Sequence, residues 1–433
     1  MADRARIAHL LRRATFGPTA EEVDAGERAG YDATLERLLR PAERDPGAPV
    51  FAADPGPGKD ATREQRQQAN QQRRKEVTSA VDWWLDRMVA TEHQLAEKLV
   101  FFWHGHWATS AQKVKVARLM LGQQQTFRDH GRGGYAAFVQ RMVRDPALIL
   151  WLDGQKNTAK APNENLAREL MELFTLGIGS YAESDVKAGA RALTGWTVDR
   201  VAGTARFAAR RHDKGAKTIL GRTAAFDADG FAALVANEPA AATFLAQRLW
   251  FRFGSGEPIP AEVRDRLGAA FAARRHVDDL LRALFTDPAF AGTSGQLVKQ
   301  PVEWAVGALR QLGIRPSTRG EQAPKQLVNV LNGLDQTPLR PPSVGGWPAG
   351  AAWLTTSSLQ VRLRAAEQFA AWAAPAVRER LAAAPAQGRP DALARLLVVD
   401  GWTDRTRAVL TEAAGKPERL IQLGLVSPEY TVH

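Results

Sequence analysis

Three short stretches of the chain hold residue types that can do chemistry. The first is Phe101-Phe102-Trp103-His104-Gly105-His106-Trp107. Neutral imidazole ligates zinc, iron, copper and nickel, and two imidazoles one residue apart converge on one ion where the backbone is extended. On an unbroken helix, positions two apart lie about 200° apart around the axis. His106 would then share the face of Leu95, Leu99 and Phe102, and His104 would point away. Gly105 is a poor helix former. The segment predicts either a helix that ends at Gly105, with two ligands for one metal, or one core and one surface histidine among aromatic rings.

The second stretch runs from Asn163 to Phe174. Pro162 and Asn163 suit a helix start. Leu166, Leu170, Leu173 and Phe174 make the apolar stripe, and Glu164, Arg168 and Glu172 fall on one polar line at four-residue spacing, the pattern of a surface ion-pair ladder. Glu169 sits at the edge of the stripe, where a carboxylate must be paired, hydrogen-bonded or bound to a cation. The third stretch is Arg210-Arg211-His212-Asp213-Lys214-Gly215. Its end reads as a turn. The adjacent His212 and Asp213 could ligate a metal or exchange protons, or could be turn chemistry beside a surface histidine.

Weaker signals follow. Asp185, after Ser184, reads as a helix cap or dipole residue, with Gly195 closing that helix. Arg340 to Pro348 has too much Pro and Gly for a helix and reads as a rigid loop. Twelve Trp residues fit buried inter-helix packing or stacking on sugars. No Walker motif, dinucleotide-binding glycine pattern, G-x-S-x-G elbow or H-E-x-x-H is present, which argues against P-loop, dinucleotide, α/β-hydrolase and zincin chemistry.

The elements that must position these residues read as helices. Apolar residues recur at three- and four-residue spacing over Ile7–Arg13, Glu21–Leu39, Gln94–Trp103, Asn165–Phe174, Phe231–Arg252 and Leu297–Leu312, among others. Strand signals are confined to about 196–220, which predicts one small β-hairpin. The fold class expected is mostly α, a multi-helical globular assembly. Residues 41–76 read as an exposed loop turning helical near its end, and 337–353 as a second irregular stretch. A soft boundary near 225 divides an N-terminal helical lobe (1–225) carrying the His and Glu motifs from a C-terminal lobe (226–433), or the two form one continuous domain.

Length and composition bound the rest. At 433 residues with 45% hydrophobic and 24% charged side chains, the chain can bury a large core and is not a disordered one. It has no cysteine, so thiolate metal sites, disulfides and cysteine nucleophiles are excluded. The net charge of +11 rests on Arg well in excess of Lys and suits an anionic partner. The cations are spread along the chain apart from Arg63 to Lys75, which argues against nucleic acid. No long apolar run predicts a membrane span. The opening MADRARIAHLLRRATFG lacks the apolar core and cleavage site of a secretory signal, and predicts a cytoplasmic location for the chain as given.

The motifs resemble a known family. His9-Leu10-Leu11-Arg12-Arg13-Ala14-Thr15-Phe16-Gly17-Pro18-Thr19 looks like the opening signature of the bacterial "domain of unknown function 1800" family (DUF1800). Phe102 to Trp107 is similar to its FWHNHF-like segment, with Gly105 where Asn is common. Asn163 to Gly177 resembles its most distinctive motif. Asp185 to Trp196, His212-Asp213 to Gly221, and Arg340 to Trp347 with Trp353 follow in the family's order. The resemblance covers nearly the whole chain. It implies little about activity. Many members carry export signals and are encoded beside sulfatase-like proteins, so it offers a sulfatase-like partner as an expectation.

Because the three reactive stretches coincide with these signature segments, the expectation is one site. His104, His106, His212 and Glu169 would hold a divalent metal, with Glu169 and Asp213 catalytic. Arg12, Arg13, Arg168 and Trp347 would bind an anionic substrate. The reading is a metal-dependent enzyme, a hydrolase rather than an oxidase. The alternative is a non-catalytic helical protein that binds an acidic polymer or a partner protein, its His and Glu forming a buried polar network.

Overall fold

The computed structural model describes residues 3–433 except 42–47, 55, 57 and 59. Part of the stretch expected as a loop over 41–76 therefore lies outside the described residues. Its end is helical: Arg63–Ala90 is one helix, opened by a capping box between Thr62 and Gln65. Each satisfies the other's backbone N–H, which a helix start otherwise leaves orphaned.

Helices take 65% of the chain, and two small antiparallel pairs are the only sheets among the described residues. Two long periodic runs are each divided. Gly30, at φ 86, splits the first into Ala20–Ala29 and Tyr31–Leu38, a conformation open to glycine and costly for other residues. Pro239 splits the second, ending Ala228–Asn237 and opening Pro239–Leu249 at its first turn.

The expected hairpin is two. Trp196–Asp199 pairs with Thr204–Phe207, and Lys217–Ile219 pairs with Arg222–Ala224. Leu220 and Gly221 join the second pair at φ 50 and 75, positive at both positions as a two-residue turn of matching twist requires.

The helix Gln94–His106 is the axis of the molecule. Nearly every side chain on it is buried, as an all-round apolar helix demands. Its two charges are neutralised inside. Glu97 accepts from Arg87 at 2.5 Å, Arg128 at 2.6 Å and the Trp84 indole at 2.6 Å. Lys98 meets Glu303 at 2.8 Å. That pair ties the central helix to Pro301–Gln311, which also packs on Arg63–Ala90. Tyr135–Met142 packs on Ala228–Asn237 in the same way. One hydrophobic cluster runs from Leu10 to Tyr430, so the core is continuous across position 225. No helix among the described residues is long and apolar enough to cross a membrane.

Candidate ligand groove

The helix Gln94–His106 does not end at Gly105, so the two histidines keep opposite faces. His104 is fully buried. Its ring meets Trp84 and Trp347 edge-on, each at 5.3 Å between centroids. Its Nε2 accepts the Leu339 N–H at 3.0 Å, so the ring proton is on Nδ1. Leu339 is left-handed at φ 65, a strained setting for an L residue. It is held there by His104 on its N–H and by the Ala111 N–H donating to its carbonyl at 2.8 Å.

His106 faces the other way, among Phe102, Trp103, Trp107 and Phe174. Its Nε2 lies 2.9 Å from the Phe174 carbonyl. A carbonyl only accepts, so Nε2 carries the proton and Nδ1 the lone pair. That Nδ1 is buried without a partner. Burial holds both imidazoles neutral, pushing each down to about 3, and the nearby Arg248 charge adds to the effect on His106.

The Phe174 carbonyl is free to accept because it lies in the last turn of its helix, where no later N–H of the helix reaches it. Asn165–Glu169 is α-helical, and Leu170–Thr175 continues it as a π-helix. The wider turn leaves carbonyls off the α register. Phe174 is served from outside, by His106 and by the Tyr135 hydroxyl at 2.9 Å. The same change breaks the expected ion-pair ladder. Arg168 bonds Glu164 at 3.1 Å and Glu183 at 2.6 Å, while Glu172 instead accepts from the Tyr181 hydroxyl at 2.7 Å. A second π turn, Trp250–Gly254, follows Pro239–Leu249, which contacts the first. Single π turns inside α-helices often mark functional sites.

Between these elements lies a groove of about 600 Å³. His106, Glu172, Leu173, Leu176 and Ile178 form one wall, and Phe244, Gln247 and Arg248 the other, with Val344 and Gly345 from the Pro/Gly-rich loop closing the end. Arg248 is half-buried and has no ion-pair or hydrogen-bond partner among the described residues. Burial lowers its pKa. A half-buried cation without a counter-ion is a receptor for an anion.

The structure brings three of the sequence's signature stretches together here: the His106 segment, the Glu172–Gly177 turn and the Val344–Gly345 loop. It does not bring His212. That Nδ1 lies 3.0 Å from the Thr194 carbonyl, and Asp213 is paired with Arg191 at 2.6 Å, which holds its carboxyl below the ordinary range. Glu169 is half-buried, and burial together with Glu172 raises its pKa. The described residues contain no group of three or more His, Asp or Glu side chains able to hold a metal ion. His104, His106, His212 and Glu169 therefore do not form one coordination sphere.

The expected substrate residues are engaged elsewhere. Arg12 makes a two-pronged contact with Asp400 at 2.8 and 2.6 Å. Arg13 is fully buried and donates to the Thr293 carbonyl at 2.5 Å. Trp347 covers His104 and is not among the groove residues. Arg248 was missed. Its signal was available: it stands beside buried Leu245 and Leu249, and no acid lies three or four residues away on either side.

Fold and groove define a multi-helical protein built around one buried, histidine-bearing helix. The chain belongs to the family described as "Protein of unknown function (DUF1800)", whose sequence profile matches residues 9–432. No curated protein and no solved structure matches the chain.

Proposed function

We propose that the groove beside His106 is the functional site and that it binds a ligand with an apolar body and one anionic group, a carboxylate, sulfate or phosphate. The observation that carries this reading is Arg248, a half-buried guanidinium that lines the groove without a counter-ion. Leu173, Leu176, Ile178 and Phe244 offer the apolar contact, and Ile178 is 82% exposed at the rim. Such a mixture of apolar lining and a few polar anchors is the usual makeup of small-molecule sites.

Calorimetric titration with octanoate, 4-nitrophenyl sulfate and 4-nitrophenyl phosphate tests it. At least one probe should bind, and Arg248→Met should weaken it about tenfold, the cost of one charge-assisted contact. Equal binding by the variant, or no binding of any probe, overturns the reading.

A further inference from the structure

A second groove, of about 500 Å³, lies where the helix Arg63–Ala90 meets the short turn after Trp107 and the start of the Pro/Gly-rich loop. Arg73, Arg74, Lys115 and Arg340 line it, together with the amides of Asn70 and Gln112, and no carboxylate does among the described residues. Arg73 is already neutralised by Asp54, at 2.5 and 2.7 Å. Arg74, Lys115 and Arg340 have no side-chain partner among the described residues. Three cations therefore converge on one concave surface without a counter-charge.

The walls are held by strained backbone. Lys115 is left-handed at φ 62 and ends the turn Ala111–Val114. Leu339, left-handed at φ 65, comes immediately before Arg340. The Ala111 N–H bonds the Leu339 carbonyl and so joins the two walls directly. Neither position is glycine, so each left-handed turn costs about 1 kcal/mol or more. Strain of this kind persists where surrounding structure fixes it, and it concentrates at ligand sites. Here both strained positions aim cations at one groove.

We infer that this groove binds an acidic polysaccharide, its carboxylate or sulfate groups held by Arg74, Lys115 and Arg340. Guanidinium forks match such oxyanions two bonds at a time. The amides of Asn70 and Gln112 both donate and accept, as a hydroxyl-rich chain requires. No aromatic ring is among the described lining residues, so neither bases nor sugar rings can stack there, and charge and amide contacts carry the binding. The site is separate from the His106 groove and does not depend on its reading.

The test is fluorescence anisotropy with a labelled heparin hexasaccharide, a labelled oligogalacturonate and a labelled DNA strand of equal charge. The proteins compared are the wild type, Lys115→Gln/Arg340→Gln, and a charge-matched control, Arg364→Gln/Arg405→Gln. At least one glycan should bind more tightly than DNA. The groove variant should lose about tenfold or more, from two charge-assisted contacts, and the control should lose less than about twofold, since distant exposed charges are screened. All three substituted side chains outside Arg340 are exposed, and thermal melting confirms that each variant folds. Preferred binding of DNA points to a phosphate-bearing partner and overturns the proposal. Equal losses in both variants show a net-charge effect and overturn it too, as does the absence of glycan binding.

Discussion

His104 and His106 sit two positions apart on the same buried helix, and they do opposite jobs. His104 uses its lone pair internally, to hold a left-handed Leu339 and with it the Pro/Gly-rich loop. His106 uses its proton internally, on the Phe174 carbonyl, and its buried Nδ1 lone pair has no partner. Burial, ring type and pKa are nearly the same for both. What separates the two imidazoles is which nitrogen the backbone takes, and so whether a proton or a lone pair is left over.

The largest way to strain this comparison is acid. Both imidazoles are held near 3 in the folded protein, against 6.5 ordinarily. Between those values the unfolded chain binds protons that the folded chain does not, so stability falls as pH drops below 6.5. The slope is about 1.4 kcal/mol per pH unit for each histidine. Urea melts at pH 7, 6 and 5 should show it, with His9 and His433 adding to the slope, and His106→Gln should flatten it by up to about 1.4 kcal/mol per pH unit. An unchanged slope in the variant would mean that His106 is not held neutral by burial.

Next comes His104→Ala. It empties the space between Trp84 and Trp347 and leaves the Leu339 N–H buried without an acceptor. A loss of about 3 kcal/mol is expected by chemical denaturation, from cavity and orphaned donor together. A loss below about 1 kcal/mol would contradict the latch, since surface substitutions cost that little.

Gly346→Ala sharpens the same side of the comparison. Gly346 is at φ 84, and an added Cβ would stand 2.5 Å from the Gly105 carbonyl. The loop must shift, at about 2 kcal/mol in thermal unfolding. The smallest effect belongs to Arg248→Met, which should move stability by under about 0.5 kcal/mol, because no internal partner is lost. A loss several times larger would make Arg248 a structural residue and remove the ground for the groove.

The fold class was legible because helical periodicity is a local signal, as over Gln94–Trp103 and Leu297–Leu312. The opposite faces of His104 and His106 were legible too, given an unbroken helix. Two things were not. The π turn at Leu170–Thr175 leaves no mark in apolar spacing, yet it moves Glu172 from Arg168 to Tyr181. The partners of Arg12, Arg13 and Asp213 depend on tertiary contacts: Asp400 is 388 positions from Arg12. A reactive-looking residue in sequence was, in these cases, a residue already engaged in holding distant segments together.

That π turn can also be viewed as a length polymorphism written into the chain. A π turn is an α-helix with one residue too many, closing rings of five rather than four. Deleting one residue between Leu170 and Thr175 would let the helix close as ordinary α. Everything after it would then rotate by about 100°, and the Phe174 carbonyl would swing away from His106 and Tyr135. His106 would lose its anchor and be free to flip, and Leu176 to Ile178 would leave the wall. One surplus amino acid, rather than any particular side chain, is thus what opens this face of the molecule.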